Sequence, residues 1–346
     1  MPVTEQELAN IANAALDFHD RSGVKSNVIQ SRPLVRELMK RKKKFPGGKE
    51  FITVAVKGVY STSLQGYSYD DEVQYVNPAN IKRAQAKWYE MHAGISVTLT
   101  ELKNDGISVV DSMDSARTTE HSMREKTAIA NLFQDKLEDM EEGTARSMDE
   151  MFWRDGTQDP KLIPGITSFI LDSPASAGST FGIDRTANTW FRNRANLLIN
   201  ASTPADQNTV QAMQKDFRQL RRYGKGPTNI FAGSDFMDAF EKELRSKGNY
   251  TLEGWAKNGQ IDASVADIAF KGMMVEYVPE LDDLGKSKYA YGLDLNAIRY
   301  WEMEDEGDKR HSPARPPEKY VLYRAITNTG GLLASQLNTS QVWSIA

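Results

Sequence analysis

Gly182-Ile183-Asp184-Arg185-Thr186-Ala187-Asn188-Thr189-Trp190-Phe191-Arg192-Asn193 sets two large aromatic side chains inside a polar loop. Rings of that size want burial. Read alone, the segment is a packed loop anchor, and its flanks give it further meaning. Upstream, residues 115–153 form the longest helical stretch. Ile129, Leu132, Phe133, Leu137, Met140, Met148, Met151 and Phe152 recur there at helical spacing. Gly143 interrupts the stretch at a cost of about 1 kcal/mol relative to Ala. Asp155-Gly156 and Pro160 end it. At about 1.5 Å per residue it predicts a helix of roughly 50–60 Å, longer than most in globular proteins. Downstream, Asp206 to Tyr223 reads as a helix with Val210, Met213, Phe217 and Leu220 on one face, stopped by Gly224-Lys225-Gly226-Pro227. Thr228 to Gly233 is a buried-type strand, and Ser234-Asp235 caps a third helix through Lys247. Strands are expected at 273–278, 289–293, 297–301 and 319–327. Leu332 to Ala346 alternates weakly, as one more edge strand would. Helices and strands interleave without regular βαβ alternation, so the fold class is α+β.

Toward the N-terminus the chain changes character. Thr4 and Glu7 make a capping box, and Leu8, Ile11, Ala12, Ala15 and Leu16 share one face, which predicts a short helix over residues 4–19. Residues 34–39 read as a second. This leader is thinly apolar and needs something to lie against. Lys40-Arg41-Lys42-Lys43-Lys44 follows. From Arg36 to Lys49 seven bases meet one acid, a local sum of +6. Phe51-Ile52-Thr53-Val54-Ala55-Val56 is a strand rich in β-branched residues. Ile95, Val97 and Leu99 alternate with Ser96, Thr98 and Thr100 in another. Between them, residues 60–72 are polar, with three tyrosines and three acids. The pattern suggests one long hairpin, which alone in water is marginal and needs a supporting surface.

Composition narrows the function classes. The 346 residues are 40% hydrophobic and 26% charged, the make-up of ordinary globular protein rather than a disordered chain. There is no cysteine, so disulfide scaffolds, Cys-ligated zinc, Fe–S clusters and cysteine nucleophiles are excluded. The net charge of −4 is not that of a dedicated nucleic-acid binder. No apolar run approaches the roughly 18–20 residues that span a bilayer. The first residues lack the basic and apolar regions of a signal peptide. The expectation is a soluble, cytoplasm-made protein that engages no membrane.

Catalytic motifs do not emerge. Gly285-Lys286-Ser287 has the end of a phosphate loop, but the upstream glycine position holds Glu280. GxGxxG and GxSxG are both absent. His19, His92, His121 and His311 lie far apart in sequence. Acids cluster at Asp135, Glu138, Asp139, Glu141 and Glu142, and again at Glu302, Glu304, Asp305, Glu306 and Asp308. Paired acids can serve glycosidase or metal chemistry. A metal-dependent hydrolase is therefore the remote alternative. The spacings read instead as a solvated or partner-facing helix face and a loop. No cofactor, metal or catalytic residue is assigned, and the chain is expected not to be an enzyme.

In order, these parts resemble the major capsid protein of tailed bacteriophages, with the Hong Kong 97 type fold. The resemblance rests on the helical leader, the hairpin region, residues 115–153, Gly182 to Asn193, Pro227 to Asp235, and Gly330-Gly331-Leu332-Leu333. Gly182 to Asn193 is its most specific part. It implies an N-terminal arm (1–50), an extended loop (51–104) and a peripheral domain (105–226) built on a spine helix (115–153). An axial domain (227–305) and return strands with a C-terminal axial segment (306–346) complete it. The resemblance also implies hexamers and pentamers of the chain that tile an icosahedral shell around double-stranded DNA, held without sequence specificity. Portal, scaffolding and decoration proteins would be partners, and the virion head the location. The same fold leaves open an encapsulin-like nanocompartment with enzyme cargo. No Lys–Asn pair aligns for a covalent crosslink between subunits. For the basic run, the expectation is that Lys40, Arg41, Lys42, Lys43 and Lys44 act between subunits, against an acidic surface such as Glu138, Asp139, Glu141 and Glu142. Packaged DNA is the rival partner.

Overall fold

The structure, a computed structural model, describes residues 2–4, 32–47, 49–60, 62–75, 80–98, 100–101, 108–110, 123–201, 208–224, 226–246, 268–314 and 321–346. Strand β1 (Pro2–Thr4) is followed by helix α1 (Pro33–Lys40), β2 (Lys43–Phe45), β3 (Phe51–Lys57), β4 (Ile81–Lys87), β5 (Tyr89–Thr98) and β6 (Ser108–Val110). The long helix α2 (Met123–Trp153) comes next, then β7 (Ser179–Thr180), β8 (Ile183–Asp184), β9 (Arg194–Ile199) and α3 (Thr209–Leu220). The remainder is β10 (Asn229–Ala232), α4 (Ser234–Ser246), β11 (Ala269–Phe270), β12 (Met273–Tyr277), α5 (Pro279–Asp283), β13 (Tyr289–Leu293), β14 (Ile298–Met303), β15 (Lys309–Ala314), β16 (Val321–Ala334) and β17 (Gln341–Ile345). The α+β expectation holds. Thr4, expected to cap a helix, ends β1, and the rest of that expected helix lies outside the described residues.

A six-stranded mixed sheet runs β11-β12-β10-β13-β17-β9. The two-residue period of its strands feeds two different cores. Ile230, Ala232, Ala290 and Trp343 point to one face, where Met213, Phe217 and Leu220 of α3 and Phe236 and Phe240 of α4 cover them. Phe231, Tyr291, Leu293 and Val342 point to the other face and join the main core. The last strand is therefore not at an edge. β17 sits between β13 and β9, with all five residues buried. Its polar members are paired inside: Gln341 Nε2 donates to Asp216 Oδ2 at 2.7 Å, and Ser344 Oγ accepts from Leu198 N–H at 3.2 Å.

The second sheet runs β15-β16-β14-β2, with β5 also on β16. Helix α2, 31 residues long, spans about 46 Å. Gly143 does not interrupt it, since a glycine there costs only about 1 kcal/mol. Residues 115–122 of the expected helix lie outside the described ones. Its final turn joins the two sheets. The Phe152 ring lies 5.8 Å from Tyr300 of β14 in the second sheet. The next residue, Trp153, lies 5.9 Å from Phe231 of β10 and 5.5 Å from Tyr291 of β13 in the first. Both are fully buried. The carbonyls left open at the helix end are satisfied by the following loop. Thr167 Oγ1 donates to the Trp153 carbonyl at 2.7 Å and Gly165 N–H to that of Arg154 at 2.8 Å. A Cβ on Gly165 would sit 2.3 Å from the Phe152 oxygen, so only glycine fits this approach.

The hairpin differs from its sequence reading. β3 pairs antiparallel with β4, Phe51 opposite Lys87 and Lys57 opposite Ile81. The alternating stretch at 95–98 belongs instead to β5, which pairs with β16 from Tyr89–Gly330 to Thr98–Val321. No periodicity marks the return strand, because Ile81-Lys82-Arg83-Ala84-Gln85-Ala86-Lys87 is mostly polar and only Ala84 is fully buried. Ile52, Val56 and Ala84 anchor the hairpin in the main core. Its strands are held along their length by residues 181–190. A Cβ on Gly58 would fall 2.1 Å from the Trp190 ring, and Gln85 N–H donates to the Phe181 carbonyl at 2.9 Å.

Two outcomes follow from this packing. Gly58→Ala must displace Trp190, and overpacking of this kind costs about 1–3 kcal/mol. The expected result is a lower Tm and faster chymotrypsin cleavage at Tyr60, Tyr67, Tyr69 and Tyr75, with unchanged far-UV circular dichroism. Asp149 of α2 is 4% exposed, and one carboxylate oxygen lacks a hydrogen-bond partner. Burial, helped by the nearby Glu280 carboxylate and opposed by Arg32, pushes its pKa from 3.8 up to about 7. Such a carboxyl holds its proton more tightly when folded, so its contribution is full below about pH 4 and is lost as pH rises to about 7. Asp149→Asn is therefore expected to gain Tm over the parent progressively from pH 4 to pH 7, with a constant difference above that. A difference independent of pH would contradict this.

Candidate assembly interface

The β3–β4 hairpin carries its strands out to a tip that leaves the core. Thirteen large hydrophobic side chains are strongly exposed among the described residues, and eight of them lie between 59 and 81. Leu64 is 106% exposed, Tyr69 111%, Tyr75 94% and Tyr60 81%. A monomer seldom leaves so much contiguous apolar surface wet, and such patches mark interaction sites. The tip is nonetheless ordered by its own bonds. Gln65 Nε2 donates to the Glu72 carbonyl at 3.2 Å, Gln74 N–H to Gln65 Oε1 at 3.1 Å, and Ser68 N–H to Asp71 Oδ2 at 2.8 Å.

The basic run occupies α1 and β2. Pro33 at the first helical position fixes the start of α1, and Leu34, Val35 and Leu38 bury its inner face. Lys40 and Arg41 reach back to Glu37 at 3.0 and 3.3 Å. Lys42 pairs with Glu302 at 3.1 Å, a carboxylate buried to 3% exposure. Lys43 lies over the Trp301 ring at 5.6 Å, and Lys44 is exposed. β2 runs parallel to β14, Lys43 opposite Trp301, and has no strand on its other side among the described residues.

The acidic group of α2 is close by in the same chain. Glu142 pairs with Arg32, just before α1, at 2.8 Å. Glu141 and Lys42 both line a cleft of about 120 Å³ between α1, α2 and β16, with Met39, Met140 and Met148. Asp139 is exposed, and Glu138 lies in α2 with its side chain outside the described set. Lys136 faces the other way, toward β5, where it meets Glu101 at 2.9 Å and holds that carboxyl below its usual range. The structure thus places the basic run and part of the acidic group on adjacent elements of one copy.

The second acidic group is dispersed. Glu302 is committed to Lys42, Glu306 to Lys309 at 2.6 Å, and Asp308 accepts from Asn328 Nδ2 at 3.2 Å. His92 and His311 are exposed on the strands either side of β16. Among the described residues no three His, Asp or Glu side chains gather where a metal ion could be held. Among them also, no helix is long and apolar enough to cross a membrane. Sequence reasoning named the basic run and read residues 60–72 as a Tyr-rich, polar hairpin tip outside the core, without naming its tyrosines as contact residues. The signal available was Tyr60, Tyr67, Tyr69 and Tyr75 in a stretch without helical or strand periodicity.

No protein-family model matches the chain, and no curated protein sequence does. Solved structures do match. A chain of the cyanophage A-1(L) capsid asymmetric unit aligns with a TM-score of 0.66 at 13% identity, over 90% of this chain and 92% of that one. A chain of the capsid of a native GTA particle gives 0.53 at 14% identity, over 90% of each. Mycobacterium phage Bobi gives 0.51 at 10% identity, again over 90% of each. At such identities the likeness speaks for the fold, and it extends across nearly the whole chain in one order of elements. With its projecting hairpin, long helix and two-sheet body, the chain has the α+β capsid fold of the Hong Kong 97 type.

Proposed function

We propose that this chain is the subunit of an icosahedral shell: the major capsid protein of a tailed phage, built into hexamers and pentamers that enclose double-stranded DNA. The observation that carries the reading is the hairpin tip. An anchored, internally ordered projection with exposed tyrosines is a surface made for another molecule. In a shell, identical copies supply that molecule, and each weak contact is repeated at every subunit. The role is structural, and the chain performs it without catalysis. Portal, scaffolding and decoration proteins, and an assembly site in the host cytoplasm, belong to the same proposal.

Purified chain is expected to form rings, shells or tubes in negative-stain micrographs. A stable monomer with the hairpin protected from protease would refute the reading. Removing Thr62 to Asp71 takes away exposed residues only, so cooperative unfolding and Tm should stay near those of the parent while shells fail to close. Loss of cooperative unfolding would instead place the tip in the core. Particles recovered from cells with nucleic acid inside support the phage head. Particles filled with a protein cargo and no DNA support the nanocompartment alternative.

A further inference from the structure

We propose that the solvent face of α3, joined by Lys271 of the β11–β12 turn, is a binding site for the phosphate backbone of double-stranded nucleic acid. This rests on the shell reading, in which such a polymer is enclosed, and goes on to name residues that touch it. The exposed side chains of residues 209–222 are four cations, Lys215, Arg218, Arg221 and Arg222, and three glutamines. None is acidic and none is apolar. The one acid of the helix, Asp216, turns inward, where it accepts from Asn196, Gln341 and Trp343. The four cations have no carboxylate partner among the described residues. They stand together on a chain whose total charge is −4.

Packing sets where the cations point. Met213, Phe217 and Leu220 bury the opposite face of α3. Steps of three and four residues then put Lys215, Arg218 and Arg222 in one line, about 10 Å long at 1.5 Å per residue. Arg221 lies over the Phe217 ring at 4.7 Å, and Lys271 lies over the same ring at 5.2 Å. Lys271 and Gly272 both have positive φ, 51° and 84°, which turns the β11–β12 hairpin tightly and brings this exposed fifth charge beside the helix. A face of amides and cations offers no apolar centre for a protein partner. It suits a polyanion, since phosphate contacts need cations and hydrogen-bond donors and gain by releasing condensed counterions. The guanidinium fork can give two parallel bonds to one phosphate. The basic run differs, because Lys40, Arg41 and Lys42 are already paired inside the chain.

The test titrates full-length chain, taken before shell closure, against a fluorescent duplex of about 30 base pairs and reads anisotropy from about 0.05 to 0.2 M salt. Lys215→Gln with Arg218→Gln and Arg222→Gln is expected to weaken binding roughly tenfold at about 0.1 M salt. The log K against log salt slope should lose about 3 in magnitude, about 0.9 for each contact removed. These side chains are exposed, so far-UV circular dichroism and Tm should stay those of the parent. Lys215→Arg with Arg218→Lys and Arg222→Lys keeps the charges and should keep the slope. Parental affinity and slope in the glutamine variant overturn the proposal. Polyglutamate that competes as well as the duplex assigns the face to an acidic protein and also overturns it. In particles recovered from cells, Lys215 and Lys271 should resist acetylation while nucleic acid is inside and react once it is released. Equal labelling in both states overturns the site. Shells that assemble while either overturning result is obtained leave the shell reading standing. A chain that never assembles, yet loses duplex binding with the three glutamine changes, sinks the shell reading and keeps the site.

Discussion

Two adjacent side chains at the end of one helix hold this molecule together. Phe152 enters the sheet that carries β14, and Trp153 enters the sheet that carries β10 and β13. A helix turns about 100° per residue, so neighbours in sequence point to different sides. Here that rotation is used to bolt one rod to two sheets. The joint works only because the loop after the helix comes close enough to satisfy its last carbonyls, and Gly165 permits that approach. Replacing a buried Phe or Trp by Ala costs about 3–5 kcal/mol, a large share of a typical domain's 5–15. The other elements are placed by reference to this point. Helix α1 lies along α2, the β5–β16 pair lies beside it, and the hairpin leaves from the same core.

What the sequence displayed plainly was periodic and local. The helix containing Met213, Phe217 and Leu220 and the strand Asn229–Ala232 fall where their spacing put them. What it concealed was long-range pairing. Gln341-Val342-Trp343-Ser344-Ile345 sets polar Gln341 and Ser344 among apolar residues, as an edge strand can. Both faces are dry, because Asp216 collects donors from Asn196, Gln341 and Trp343. The β3 partner is hidden for the converse reason. β4 is polar because most of it is exposed, and the apolar alternation at 95–98 serves a strand pair more than 220 residues apart in sequence.

The candidate interface was legible in part. A run of five basic residues is visible to any reader of the sequence, and so is its unsuitability for burial. Invisible were the partners that individual members take within the chain, Glu37 for Lys40 and Arg41, and Glu302, 260 positions away, for Lys42. Those pairings reduce the charge available to a second copy and concentrate what remains on Lys43, Lys44 and Lys49. The tyrosines of the tip read as a weakly patterned loop. Only the geometry of β3 and β4, which carries them away from the core, turns them into a surface.

The pairing of β5 with β16 has a consequence for how the protein is made. β5 leaves the ribosome with residue 98, and its partner begins only at 321. At roughly 5–20 residues per second, the first strand waits on the order of 10–40 s for the second. The six-stranded sheet is completed last of all, since β9 pairs with β17, which emerges with residue 345. The β3–β4 hairpin, by contrast, closes on itself within a span of 37 residues. The projection is thus finished, with its tyrosines exposed, while the body it belongs to still lacks most of its strands. A nascent chain carries that apolar surface through most of its synthesis, long before the two sheets that anchor the hairpin's base are complete.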